Sequence, residues 1–171
     1  MAIRAIVFAV LSLTLLAGQS AQAQQATVTG ATMLWYGIYT VRQAKQIKDP
    51  NSASGVRWES SGIVGPDTNS DRIALRDNIR FGFGYNLLGR PRGKVVPVVH
   101  VTYLPSADDA NNAGKNTRPD RTNYDLAIGQ DGLFIGRKIE NAAASPTGIY
   151  KFQVWHNNRI LLEKLIAVYR P

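Results

Sequence analysis

The stretch "SPTGIYKFQVWHNNRILLEKLIAVYR", residues Ser145 to Arg170, decides the fold. Tyr150, Phe152 and Val154 alternate with Lys151, Gln153 and Trp155, the period of two that sends successive side chains to opposite faces of a strand. Asn157-Asn158 joins this strand to a return strand, a two-residue connection between alternating segments that predicts a β-hairpin. The return strand, running through Ile160, Leu161, Leu162, Leu165 and Ile166, is apolar on both sides for part of its length. Such a strand is expected to be central, or covered by a neighbouring sheet.

Outward from this hairpin the rest of the chain reads the same way. In "IRFGFGYNL", Ile79, Phe81, Phe83 and Tyr85 fall on one face and Arg80, Gly82 and Gly84 on the other, so one face is buried and the opposite one is almost bare. "LGRPRGK" closes a turn, and the Val-rich "VVPVVHVTYLP" runs back from it. Pro97 has no N–H for a ladder bond and predicts an edge or a bulge there. Met33–Val41 forms an earlier strand interrupted by Gly37, "VRWESSGIV" another, and "DRIALRD" a short strand or a single helical turn. Ser106–Asn123 carries few apolar groups and is expected to be a long mobile loop. "YDLAI" and "LFIGRKI" flank Gly129-Gln130-Asp131-Gly132, a hairpin signal. Short strands separated by turn signals point to an all-β chain: an immunoglobulin-like antiparallel β-sandwich of about seven to nine strands.

The N-terminus has a different character. "MAIRAIVFAVLSLTLLAGQSAQA" offers Arg4, an apolar run from Ala5 to Ala17 and the small-x-small triplet Ala21-Gln22-Ala23, the pattern of a secretory signal peptide cleaved after Ala23. The run is nearer a dozen residues than the ~20 that a membrane-crossing helix needs. The expected organisation is a signal peptide at 1–23, a flexible leader at 24–31 and one β-sandwich domain at 32–171. Of 171 residues, removing 23 leaves 148 and, with Arg4 gone, a formal charge of +7 in place of +8. A domain of about 150 residues buries roughly 70% of the surface its unfolded chain exposes, enough for a core without staples. The chain has no Cys, which excludes disulfides and thiol chemistry.

Candidate chemistry is sparse. The only histidines are His100, within an apolar strand, and His156, beside the Asn157-Asn158 turn. No Gly-x-Ser-x-Gly elbow or His-Glu-x-x-His zinc pattern is present. "GRPRGK" is one residue short of a phosphate loop and has Val95 where Ser or Thr belongs, while "GFGYNLLG" has Leu87 in place of the third dinucleotide-binding Gly. Asp67, Asn69 and Asp71 have the alternate spacing of a calcium loop, but Arg72 replaces its turn Gly and Asn78 its bidentate Glu. Asp67, Asp71, Asp77 and His100 are the set to which an unfamiliar hydrolytic activity would be assigned, and Asp108 and Asp109 sit in the expected loop. Arg80, Arg90, Arg92 and Lys94 group around one predicted hairpin as a basic tip for an anionic ligand.

Three blocks in order carry a resemblance: "YGIY" (Tyr36–Tyr39), "IRFGFGYNLLGRPRGKVVPVVHVTYLP" (Ile79–Pro105) and "PTGIYKFQVWHNNRILLEKLIAV" (Pro146–Val168). Together they resemble a family of exported bacterial proteins known as domain of unknown function 3859. "TGIYKF" is also similar to the Gly-x-Tyr-x-Cys corner of immunoglobulin domains. On that likeness Tyr150 ties a corner and Phe152 fills the space a disulfide occupies elsewhere. The family resemblance implies a small immunoglobulin-like sandwich outside the cytoplasm and supplies no activity, cofactor or catalytic residue. The expected function is a non-catalytic binding or interaction protein of the bacterial envelope, periplasmic or secreted, needing no cofactor, neither membrane-spanning nor bound to nucleic acid. Its partner would be an envelope protein or, through the basic hairpin, an acidic polysaccharide or lipid headgroup.

Overall fold

Ile79, Phe81, Phe83, Tyr85 and Leu87 are buried along one face of a twelve-residue strand, and the residues between them include two glycines. Around this strand the chain arranges itself in two layers. The computed structural model describes residues 25–42, 44–48, 50, 55–60, 62–65, 69–105 and 119–171. Among them are β1 (Thr27–Ile38), β2 (Thr40–Val41), β3 (Ala44–Lys48), β4 (Val56–Ser60), β5 (Ile63–Val64), β6 (Arg72–Ala74), β7 (Ile79–Arg90), β8 (Val95–Tyr103), β9 (Asp120–Ala127), β10 (Leu133–Ile139), β11 (Gly148–His156) and β12 (Arg159–Tyr169). The described residues contain no helix, hence none long and apolar enough to cross a membrane. The expected signal peptide and residues 106–118 of the expected loop, with Asp108 and Asp109, lie outside the described residues.

One sheet has the order β1-β7-β10 and the other β6-β12-β11-β8-β9. These eight strands fall within the expected seven to nine. Two small ribbons, β2-β5 and β3-β4, are additional and arise from the chain between β1 and β6. The sheets are antiparallel except where "DRIALRD" supplies β6, which runs parallel to the end of β12 at Arg72–Ala74.

Several connections differ from those the sequence suggests. Thr27–Ala31, expected in a flexible leader, is the start of β1 and pairs with Leu87–Arg90 of β7. Asp120–Asn123, expected in the loop, belongs to β9 and pairs with Val99–Thr102. β7 and β8 are in different sheets, so "GRPRGK" is an arch crossing the sandwich rather than a hairpin turn. The same holds for Gly129–Gly132, which carries the chain from β9 to β10 in the opposite sheet. Local turn chemistry reports a reversal of direction, and a reversal serves an arch as well as a hairpin. The two arches hold each other, through Gly93 N–H to Ile128 O at 2.8 Å and Ile128 N–H to Lys94 O at 2.9 Å.

β8 lies between β11 and β9, and the edge expected at Pro97 is a local one, since Pro97 pairs with β9 alone. The β11 ladder stops at Val99, and the Pro97 carbonyl instead accepts from His156 Nδ1 at 2.7 Å. A missing N–H there removes no ladder bond. His156 is accordingly the buried last residue of β11 and not an open turn residue. β12 is also less enclosed than its apolarity suggests, because β6 pairs only with Ala167–Tyr169. Its first two-thirds therefore form a sheet edge, with Ile160 and Leu165 exposed.

The opening hairpin forms as read. Asn157 and Asn158 both have positive φ, 47° and 59°, the conformation of a two-residue turn matched to strand twist. The corner forms too: Tyr150 O–H donates to Pro146 O at 2.9 Å, and its ring is fully buried. Phe81 crosses from the other sheet to meet Tyr150 and Phe152 edge-on, with centroids 5.1 and 5.9 Å away. Each buried aromatic is worth ~1.5–3 kcal/mol in transfer, and each edge-on pair roughly 0.5–1.5 kcal/mol more. Tyr150→Phe keeps the ring and removes only the corner bond. Chemical denaturation should show it less stable by about 1–2 kcal/mol, with an unchanged denaturant slope.

Candidate functional site

The outer face of the three-stranded sheet is built on glycine. Gly37, Gly82 and Gly136 face one another across β1, β7 and β10, and the next row is Trp35, Gly84 and Phe134. A methyl group at Gly82 would strike the Ile135 carbonyl, and one at Gly84 would enter the Trp35 indole. The bare strip is thus filled by rings from neighbouring strands. Trp35 also packs beneath Gly65, where an added Cβ would lie 3.1 Å from the indole. Tyr39 reaches over Gly136 with its hydroxyl and contacts Trp35 and Phe134 at centroid distances of 5.6 and 5.7 Å. Between Gly84 and Gly65 the half-buried indole fills the space that side chains at those positions would take, in a small second core.

Where β1 ends and β7 begins, this second core opens into a cleft of about 450 Å³ lined by Ile38–Val41 and Arg76–Arg80. Tyr39 N–H donates to Arg80 O at 3.0 Å, which sets the phenol beside the arginine. Burial pushes the Tyr39 hydroxyl well above its ordinary pKa, against the opposing pull of Arg80, so the phenol stays neutral. Asp77 uses Oδ1 to accept from Ala142 N–H at 2.7 Å, and Asn78 takes a positive φ of 57° to complete the turn. Among the described residues neither the Arg76 nor the Arg80 guanidinium has a hydrogen-bond or ion-pair partner. Two cations, the Asp77 carboxylate, the buried Tyr39 and an apolar wall therefore line one opening, with the cations in excess by one. It suits an anion: a guanidinium presents its donors in a planar fork matched to carboxylate or phosphate.

The basic group read from the sequence is divided by the fold. Arg80 and Arg90 lie ten residues apart on β7, which at ~3.4 Å per residue is roughly 34 Å. Arg80 belongs to the cleft. Arg90, Arg92 and Lys94 stay together on the opposite end, where the Arg92 guanidinium donates to Gly129 O at 3.1 Å.

The acidic candidates do not converge either. Asp67 lies outside the described residues. Asn69 Oδ1 accepts from Tyr36 N–H at 3.0 Å, and Asp71 faces Lys164 Nζ at 3.6 Å. Asp77 ties the loop at Ala142. His100 is interior, sharing a hydrogen bond with Tyr85 Oη through Nε2 at 2.8 Å and lying 4.6 Å from the Tyr124 ring. No pattern in the sequence marks Tyr39 or Arg76 as site residues. The nearest signal is a pair of arginines flanking Asn78, but their neighbourhood with Tyr39 depends on the β1–β7 register, which no local pattern fixes.

A solved structure of an immunoglobulin-like protein from Pseudomonas aeruginosa is similar to this chain, with a TM-score of 0.50 and 16% identity over 87% of this chain and 99% of that one. At that identity the likeness is one of fold: the chain is an all-β protein with an immunoglobulin-like architecture. No family model matches it, and no curated protein does.

Burial lowers His100 from its ordinary 6.5 to about 3. The neutral ring is the folded form, so the unfolded chain binds the extra proton between those values. Its contribution to stability is complete above pH 6.5 and is lost as pH falls toward 3. Between pH 7 and pH 4.5 the wild type should lose on the order of 2–3 kcal/mol more than His100→Gln, measured as denaturation midpoints.

Proposed function

We propose that this chain is an exported envelope protein of the domain-of-unknown-function-3859 kind, a non-catalytic binding module that holds an anionic glycan in the Tyr39–Arg76–Arg80 cleft. Export is supported by Arg4, the apolar run Ala5–Ala17 and Ala21-Gln22-Ala23, and places the protein in the periplasm or outside the cell. Family membership is supported by the three blocks at Tyr36–Tyr39, Ile79–Pro105 and Pro146–Val168. The observation that carries the binding role is that Arg76 and Arg80 line one cleft and that, among the described residues, neither guanidinium is in a hydrogen bond or ion pair, Glu140 acting on Arg80 only through its field. Arg76 lies in the short turn leading into β7 and Arg80 at the start of β7 itself, a stretch anchored by buried Leu75 and Ile79. Their spacing is therefore set before a ligand arrives, and preorganised donors lose less entropy on binding.

Retention on immobilised heparin, an anionic glycan, tests the reading. Arg76→Ala/Arg80→Ala should elute at clearly lower salt than the wild type. Lys45→Ala/Lys48→Ala, which removes the same charge from exposed positions on β3, should move much less. Equal shifts in the two variants would reduce the binding to net charge and end the assignment of the cleft.

A further inference from the structure

The end of the sandwich opposite the cleft combines cations with exposed apolar side chains. The arch from β7 to β8 presents Arg90, Arg92 and Lys94, all exposed, and Arg159 opens β12 beside it, one of its guanidinium nitrogens donating to Val28 O at 3.2 Å and Thr29 O at 3.4 Å. Three of the large apolar residues left in solvent belong to the same end: Leu88 at 44%, Val95 at 55% and Ile160 at 43% exposure. Leu88 precedes Arg90 by two residues, Val95 follows Lys94 directly, and Ile160 lies two residues past Asn158. At ~3.4 Å per residue all three sit within roughly 7 Å of the turns. Asp131 is the acidic residue in the turns at 90–94, 129–132 and 157–158.

The tip is also rigid. Gly129 N–H donates to Leu87 O at 2.9 Å, Gly93 N–H to Ile128 O at 2.8 Å, and Arg92 to Gly129 O at 3.1 Å. The backbone that carries the cations is therefore held in place. β1 starts at this end, Thr27 pairing with Arg90. The apolar run of the N-terminal segment stops at Ala17, ten residues earlier, a span of at most ~36 Å when extended. Before cleavage after Ala23 that tether would hold the start of β1 within this span of the apolar run.

We infer that this end is a membrane-docking tip, with Arg90, Arg92, Lys94 and Arg159 meeting anionic phospholipid headgroups and Leu88, Val95 and Ile160 entering the interface. Short apolar side chains behind a ring of cations suit the headgroup boundary, where ~5–10 Å of depth separates water from acyl chains. Charge attraction to an anionic leaflet extends over about a Debye length, so it draws the tip in before the apolar contacts form. The cleft then faces away from the lipid, at the far end of β7.

Vesicle co-sedimentation tests this with the chain from Gln24 onward, which carries every described strand. Vesicles of phosphatidylcholine containing about 30 mol% phosphatidylglycerol should bind it at low salt, whereas pure phosphatidylcholine should not. Arg90→Glu/Lys94→Glu should lower the apparent partition constant about tenfold or more, and Leu88→Ser/Val95→Ser severalfold at unchanged net charge. Asp131→Lys should raise it, which guards against a loss caused by misfolding. Arg76→Ala/Arg80→Ala should change it little beyond its effect on net charge, so failure of the glycan reading and failure of this one are separable. Equal sedimentation with both vesicle types, or wild-type partitioning by either tip variant, overturns the inference.

Discussion

The contact on which the rest depends is Phe81 against Tyr150 and Phe152. A chain without cysteine has to hold its two sheets together by what their inner faces touch, and here the two sides meet ring edge to ring face. All three side chains are fully buried. Their position follows from two strands: β7, central in its sheet, and β11, flanked by β8 and β12. Tyr150 is held twice, by Phe81 and by its own hydroxyl on Pro146, so the corner and the inter-sheet contact support each other.

The same alternation that sends aromatics inward from β7 leaves glycine on its outer face. That face is covered by Trp35 from β1, Tyr39 just past its end and Phe134 from β10, packed where side chains on β7 would otherwise stand. Tyr39 thereby belongs to the second core and to the wall of the cleft at once. Its backbone bond to Arg80 connects the geometry of the proposed site to the pairing of β1 with β7. The two ends of β7 then differ in use: paired guanidiniums at the start and a basic, partly apolar arch at the finish.

Much of the architecture is legible in the sequence because strand alternation is local. Ile79–Tyr85, Tyr150–Val154 and the Asn157-Asn158 turn each declare themselves within a few residues, and Tyr150 with Phe152 marks the corner. Partner choice is not local. Gly129–Gly132 and "GRPRGK" have the composition of hairpin turns, yet each passes between sheets, since sheet membership depends on contacts far along the chain. Thr27–Ala31 looks like a leader because its residues are small and polar, and becomes strand because β7 offers it an edge. The candidate site was half visible. Arg80 stands out in the sequence but groups there with Arg90, Arg92 and Lys94, because arginines ten residues apart on one strand are close in sequence and distant in space. Tyr39 read as an ordinary strand aromatic until the glycine row opposite it gave its hydroxyl a place.

A double-mutant cycle in chemical denaturation, with Phe81→Leu, Phe152→Leu and the pair, measures the inter-sheet contact itself. If direct aromatic packing joins the layers, the double variant should be less destabilised than the two singles together, by a coupling energy of about 1 kcal/mol. Strict additivity of the two effects would contradict the account, since the layers would then be held by burial alone and the rings would not act as a pair.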